Sequence, residues 1–543
     1  MTKRFGVMLD ASRNAVMKPE QVKEFARIMK QFGYTMIQMY TEDTYEIPDE
    51  PYFGYLRGRY SQDELKDIVS YCESIGMEMI PSIQTLAHIE TIFRWGPYRS
   101  IHDIDDVLLA DDEKTYALIR KMFAATRECY PNSRYINVGL DEAHRLGLGR
   151  YLDKNGYEPA MRIFLRHLER VIAIAREYDF QPLMWSDMFF RIEHGGTYEY
   201  LTGKEEPILS EEILALCPEG VEQVFWRYHD TDKENYARML EAHKKFKGET
   251  WFAGGAWTWK GFVANNEGTL ACMRPAMEAC REQEVDNILI TMWGDDGKEC
   301  SFWALLPSLF AVRRFYDGIT DMEWIKAEFE ALMGENFDRM MLLDLPMDYG
   351  KNAVTNKTPH KFMLYNDLFV GIFDTTVREG IREQYGNLVR KLRPLASSES
   401  RFAYLYDTMA WLARVLEQKY DLGVRTRTAY QAKDMDTLKG MVDEYQELLT
   451  SIGFFASSFR ALWYRENKPY GLEVHEQRLG GLMYRIQSQR ERLIEYTEGR
   501  SASIPELEEM LLPYWEASDT PTSEETYMAF VNSWKDSVTV NRI

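Results

Sequence analysis

The chain has 543 residues, of which 45% are hydrophobic and 28% charged, and carries a net charge of −21. That balance suits a globular protein, and the excess of acid argues against a nucleic-acid or anionic-membrane partner, since both need clustered positive charge. The length allows roughly two to four domains of about 100–200 residues, or a large barrel with an addition.

Phe5 to Leu9 is a short apolar run, followed by the turn-like D-A-S-R-N. Pro19 opens a helix pattern that stops at Gly33. Further strands are expected at Thr35–Tyr40, Met77–Ile83, Tyr135–Leu140, Gln181–Trp185, Val221–Trp226, Glu249–Ala253 and Asn287–Met292. Helical patterns alternate with them, the last running from about Cys300 to Tyr316. Between the third and fourth strands lies a long loop, Gln84 to Ala110; loops of that length usually carry function. Eight such units fit a (β/α)8 TIM barrel better than an open sheet, because closure leaves no edge strand.

After Gly318 the strand signal fades. Phe362–Arg390, Ser400–Tyr420, Asp434–Leu462 and Glu473–Tyr496 read as long amphipathic helices, with Leu345–Pro359 as a loop before them. The expected organisation is an α/β barrel over residues 1–318 and a mostly α-helical C-terminal domain over 319–543. The helices are expected to serve as structural support or as the surface of a homodimer.

No run of about 18 apolar residues occurs, so no transmembrane helix is expected. The start, M-T-K-R-F-G-V-M-L-D, lacks a hydrophobic signal core. The six cysteines, at 72, 129, 217, 272, 280 and 300, form no C-x-x-C pair. They are read as reduced thiols, and the expected location is cytoplasmic.

In a barrel, the residues just past each strand share one mouth. Here they are Asp10 and Arg13; Tyr40, Glu42, Asp43 and Tyr45; Gln84 and His88; Asp141, Glu142 and His144; Trp185 and Asp187; Trp226, Tyr228 and Asp230; Trp257 and Trp259; and Trp293, Asp295, Asp296 and Glu299. The set is rich in carboxylates and tryptophan. Carboxylates bond sugar hydroxyls and supply acid–base catalysis, and indole faces stack on sugar rings.

Asp141 and Glu142 stand side by side after the fourth strand. Neighbouring carboxylates raise each other's proton affinity when partly desolvated, so one can act as a general acid near neutral pH. Consecutive residues cannot easily flank a glycosidic bond from opposite faces, so in glycoside cleavage the nucleophile would come from elsewhere, including the substrate. The same stretch spells D-E-A-H, but no G-x-x-x-x-G-K-[ST] loop accompanies it, which removes the helicase reading. His88, Asp141, Glu142 and His144 could supply metal ligands. The nine histidines are thinly spread, however, with no H-x-H or H-E-x-x-H, and no metal is expected.

These residues resemble glycoside hydrolase family 20, the β-N-acetylhexosaminidases. The resemblance covers roughly residues 1–316 and is strongest at Asn137-Val138-Gly139-Leu140-Asp141-Glu142-Ala143. It implies a retaining exo-β-N-acetylhexosaminidase in which the substrate's 2-acetamido oxygen is the nucleophile. Glu142 would be the acid and base, and Asp141 would orient the acetamido group. Arg13 would bind the 3- and 4-hydroxyls, and Tyr228 the acetamido oxygen, while Trp185, Trp257 and Trp259 would box its methyl. Glu42 and His88 would form a relay behind Glu142, with Asp43 competing for Glu42's place. Asp230 matches a family Tyr-x-Asp.

Trp293 and Asp295 match a family Trp-x-Glu with a shorter acid, so Asp296 or Glu299 are alternatives for the hydroxyl contact. No cofactor is implied. The implied substrate is a small oligosaccharide or glycoconjugate ending in N-acetylhexosamine, handled by a divergent, intracellular branch without the family's small N-terminal α+β domain. A barrel glycosidase acting on non-acetamido β-glycosides, or a non-catalytic sugar-binding protein, are the competing readings.

Overall fold

A computed structural model describes residues 4–195, 209–347 and 358–514. These fall into two compact units. The first takes Met1–Trp257, Thr269–Gly294 and Ser308–Ile325. The second takes Thr258–Gly268, Asp295–Pro307 and Lys326–Ile543.

Among the described residues of the first unit, eight parallel strands close a barrel. They are β1 (Arg4–Asp10), β2 (Met36–Tyr40), β3 (Glu78–Ser82), β4 (Tyr135–Asn137), β5 (Gln181–Trp185), β6 (Glu222–Trp226), β7 (Thr250–Gly255) and β8 (Asn287–Met292). Each pairs with its neighbour in sequence, and β1 closes on β8 over Arg4↔Asn287 to Leu9↔Met292. The fold is the expected TIM barrel.

The strands are almost wholly buried, so they read as mostly apolar runs and not as an even alternation. Met8, Met36, Tyr40, Ile80, Tyr135, Leu183, Trp185, Trp251 and Leu289 share one buried cluster, with Trp226 and Trp293 packed against it. Fully burying one such side chain is worth roughly 1.5–3 kcal/mol. Outside the strands, helix α1 (Pro19–Phe32) starts at its proline and ends at Gly33 with φ 93°, as its pattern predicts. Helix α2 (Gln62–Ser74) starts on a capping box between Ser61 and Glu64.

Two local expectations need correction. β4 stops at Asn137, three residues early, because Gly139 and Leu140 adopt φ 74° and 73°, which no strand tolerates. The stretch from Gln84 to Ala110 is not structureless: it holds a short helix (Glu90–Phe93), a 3-10 turn (Gly96–Ile101) and an antiparallel ribbon (His102–Ile104 with Val107–Leu108).

The second unit is helical. Helix α4 (Ile381–Ala396) packs on α5 (Ala403–Lys419), α5 on α7 (Met435–Glu466), and α7 on α8 (Leu472–Thr497). Helix α6 (Leu422–Gln431) has no counterpart in the sequence reading, since its V-R-T-R-T segment carries no apolar stripe.

The single helix expected over Phe362–Arg390 is broken. Pro359–Tyr365 is helical, and the chain then turns until α4 begins. Asn366 and Asp367 cause the break by bonding nearby backbone: Asn366 Oδ1 accepts from Phe373 N, and Asp367 Oδ1 from Phe369 N and Val370 N. Of the loop expected over Leu345–Pro359, the first three residues close a 3-10 turn, Leu342–Met347, and residues 348–357 lie outside the described ones. All six cysteines are buried and unbridged. Among the described residues, no helix is long and apolar enough to cross a membrane.

Candidate active site

The site begins where β4 ends. A Cβ on Gly139 would lie 1.8 Å from Gln84 Oε1, so glycine is what lets the Gln84 amide reach this loop. Gln84 Nε2 donates to Asp141 Oδ1 (2.8 Å) and to the Tyr40 hydroxyl (2.9 Å), while its Oε1 accepts from Leu140 N (3.3 Å). Tyr40 in turn donates to Glu42 Oε1 (3.0 Å). One amide thus ties together the ends of β2, β3 and β4.

Asp141 and Glu142 differ in exposure. Asp141 is buried, whereas the Glu142 side chain is 36% exposed. His88 Nε2 lies 3.3 Å from Asp141 Oδ2 and 3.6 Å from Glu142 Oε2. Asp106 Oδ2 stands behind it, accepting from His88 N (2.9 Å) and lying 3.6 Å from Nδ1. Burial opposes charge on His88, but the charge and hydrogen bond of Asp141 outweigh it and raise its pKa to about 10. Burial likewise opposes charge on Asp141, but the imidazolium and Gln84 hold its carboxyl below the usual range. Asp141 is therefore ionised at neutral pH.

Glu142 has its own support. Helix α3 (Asp187–Glu193) follows β5. Arg191, in its last turn, donates from Nη2 to Glu142 Oε1 (3.0 Å), and its Nε lies 3.3 Å from Asp187 Oδ2. Asp187 Oδ2 accepts from Glu142 N (3.1 Å). Burial, with the charge of Asp141, pushes the Asp187 carboxyl up to about 7. Glu42, His88, Leu140 and Glu142 all have positive φ, at 43°, 56°, 73° and 53°. Such conformations are disfavoured for residues with a Cβ and gather at functional sites.

Aromatic side chains wall the mouth. Trp293 meets Tyr40 edge-on at 4.9 Å and Trp185 at 5.9 Å. Its indole N–H donates to the Tyr228 hydroxyl (3.0 Å), which stacks on Trp226 at 5.2 Å. Burial pushes the Tyr228 phenol well above its usual range, so it keeps its proton at neutral pH. Trp257 is fully buried and donates to Tyr228 O (3.1 Å).

Other expected residues hold different posts. Arg13 Nε lies 3.5 Å from Glu42 Oε1. Burial lifts the Glu42 carboxyl to about 7, with Arg13 and His88 opposing. The acid directly behind His88 is Asp106, while Asp43 is paired with Arg57 at 3.3 Å. Asp230 accepts from Arg227, Asp232 N and Asn235 and so fixes the chain after β6. His144 is exposed in a turn.

Trp259, Asp295, Asp296 and Glu299 group with the helical unit. There the Glu299 side chain is fully buried against Lys361 Nζ at 2.6 Å, so it has no face to offer a sugar. Among the described residues, no group of three or more His, Cys, Asp or Glu side chains is placed to hold a metal ion.

Residues 5–203 match the family model for the glycosyl hydrolase family 20 catalytic domain, and residues 335–526 match that for the glycoside hydrolase 20C C-terminal domain. The chain belongs to glycoside hydrolase family 20. The family 20 catalytic match includes Arg13, Glu42, His88, Asp141, Glu142 and Trp185; Tyr228, Asp230, Trp257 and Trp293 lie beyond it. The chain is similar to hexosaminidase D of Bos taurus, 29% identical over 224 residues, covering 38% of this chain and 58% of the relative. It is also similar to hexosaminidase D of Homo sapiens, 24% identical over 250 residues, covering 43% and 47%. The chain thus spans about half the length of these relatives. Among solved structures it is similar to the family 20 exo-β-N-acetylglucosaminidase of Vibrio harveyi, at 14% identity and TM-score 0.46, covering 61% of this chain and 58% of that one.

Four neighbours of Asp141 and Glu142 were not assigned roles from sequence. Gln84 and Asp187 stood among the strand-end residues without one. Arg191 carries a readable signal, its spacing of four from Asp187 on a helix. Asp106 lies in the long loop already suspected of function, but nothing in its own surroundings singles it out.

Proposed function

We propose that the chain is a retaining exo-β-N-acetylhexosaminidase that cleaves terminal β-linked N-acetylhexosamine by substrate-assisted catalysis. The observation that carries this reading is the unequal pair: an ionised, buried Asp141 beside a half-exposed Glu142. Two adjacent residues cannot easily flank one bond from opposite faces as acid and nucleophile, which agrees with the substrate-assisted chemistry of glycoside hydrolase family 20, where the acetamido group takes the nucleophile's place.

The acetamido oxygen attacks the anomeric carbon as the bond to the leaving oxygen breaks, and Glu142 passes its proton to that oxygen. Asp141 accepts a hydrogen bond from the acetamido N–H and stabilises the positive charge of the oxazolinium ion. Tyr228, which keeps its proton, donates to the acetamido oxygen and aligns it. Water then attacks the anomeric carbon, Glu142 takes its proton, and the acetamido group is restored with retained configuration. The Trp185, Trp257 and Trp293 indoles form the apolar wall for the sugar and its methyl. Arg13, beside Glu42, serves the hydroxyls on the far side of the ring.

The test is hydrolysis of an aryl 2-acetamido-2-deoxy-β-glucoside beside the matching plain glucoside, with inhibition by a thiazoline mimic of the oxazolinium ion. Cleavage of the acetamido substrate alone, blocked by the thiazoline, is the expected result. A protein that cleaves only the plain glucoside is not this enzyme.

A further inference from the structure

The Asp187–Arg191 pair is attached to Glu142 twice. Asp187 takes the backbone N–H of Glu142, and Arg191 takes one oxygen of its carboxylate. Both come from one helix turn, four residues apart, and their own ion pair fixes each relative to the other. The Asp187 side chain is fully buried and that of Arg191 is 12% exposed, so neither is a solvated surface charge. Trp226 Nε1, 3.5 Å from Asp187 Oδ1, braces the acid from β6. The residue they hold has φ 53°, a backbone that drifts without support. The two oxygens of Glu142 are also divided. Arg191 has Oε1, while His88, which sits closer to Asp141, faces Oε2 at 3.6 Å.

We propose that Arg191, anchored by Asp187, is a positioning residue that holds the Glu142 carboxyl in line with the leaving oxygen of the glycoside and away from His88. This rests on the reading of Glu142 as the acid. Arg191 touches no reacting atom; it acts through Glu142. Proton donation from a carboxyl needs hydrogen-bond reach to the acceptor, and a displacement of about 1 Å can cost about 10²-fold in rate. The loss must fall on the step that uses the proton. A leaving group that departs as a stable anion needs little help from the acid, whereas an alkoxide leaving group needs it fully.

The experiment compares Arg191→Met and Arg191→Lys with wild type on two 2-acetamido-β-glucosides, a methyl or sugar glycoside and a dinitrophenyl glycoside. The reading is kcat/KM, which reports only the steps through departure of the leaving group. Arg191→Met is expected to lose about tenfold to 10²-fold on the poor leaving group and less than about threefold on the activated one. Arg191→Lys should recover part of the loss, because it restores one donor but not the anchored fork.

Equal losses on both substrates, with the thermal midpoint unchanged, would mean that Arg191 serves binding or general structure, and the inference is overturned. So would no loss on either. If wild type cleaves only plain glycosides, the proposed substrate class fails, and the same leaving-group comparison on plain glycosides still decides the role of Arg191. A wild type inert on every glycoside overturns both. If Arg191→Met does not fold, Asp187→Asn, which keeps the shape but removes the anchoring charge, is expected to show the same split in weaker form.

Discussion

Glu299 of the helical unit and Glu142 of the barrel each have a cation close by, Lys361 at 2.6 Å and Arg191 at 3.0 Å. Their surroundings part them. The Glu299 and Lys361 side chains are 0% and 2% exposed, with His475 Nδ1 and Arg478 Nη1 also within 4 Å of the Glu299 carboxylate. The Glu142 side chain is 36% exposed, with His88 Nε2 at 3.6 Å from its second oxygen. A sealed pair has given up its water and depends on its partner. An open pair can trade its partner for a ligand and its charge for a proton. The same chemical unit is thus structural in one region and available for reaction in the other.

The sharpest way to break that contrast is to neutralise the open acid. Glu142→Gln is expected to lower kcat/KM on an alkyl or sugar 2-acetamido-β-glucoside by about 10²–10⁴-fold, the usual worth of a general acid. Its unfolding midpoint should stay near that of wild type. Asp141→Asn should cost about 10²-fold or more, because it removes the charge facing the oxazolinium ion. Unlike Glu142→Gln, its loss should persist on a dinitrophenyl substrate, since departure of the leaving group does not spare the acetamido step.

The sealed pair should answer the other way. Lys361→Met leaves the Glu299 carboxylate buried without its closest cation and is expected to cost about 3–5 kcal/mol of stability in denaturant unfolding. The double variant Lys361→Met/Glu299→Met should recover most of it, because the fully buried carboxylate is removed together with its closest cation. A Lys361→Met protein within about 1 kcal/mol of wild type would show that the pair is not what holds that region.

The smallest effect concerns Glu42. Its folded pKa of about 7 lies above the ordinary value of 4.5. The fold therefore binds a proton there that the unfolded chain releases. The associated stability is present below about pH 4.5 and is lost as pH rises through 7. Glu42→Gln should flatten the decline of stability over that window and leave the protein more stable at pH 8, by about 1–3 kcal/mol. A variant that follows the wild-type slope would remove Glu42 as its source.

The barrel was legible because its strands are short, mostly apolar and separated by helix patterns with clear punctuation, such as Pro19 and Gly33. The place of Asp141 and Glu142 was legible for the same reason: residues past a barrel strand have one place to go. What escaped were side chains whose meaning depends on distant partners. Nothing around Gln84 foretells that it links Tyr40 to Asp141, since those residues meet only on closure of the barrel. The break at Asn366-Asp367 also escaped, because apolar periodicity runs through it while the local competition for backbone hydrogen bonds does not show in the pattern. Glu299, one of three acids left open for the sugar hydroxyls, was resolved only by finding Lys361 against it.

The four left-handed residues at the mouth set stability and turnover against each other. Glycine would relax the backbone at 42, 88 or 142, and each relief would delete a side chain of the candidate site. Selection for folding alone, in a lineage or a laboratory, would press on these positions first, while the barrel strands, where folding and function ask for the same apolar residues, would stand unchanged. Drift toward a stable but idle barrel is thus the easier direction, and an active member of such a lineage is one in which substrate has kept the mouth in place.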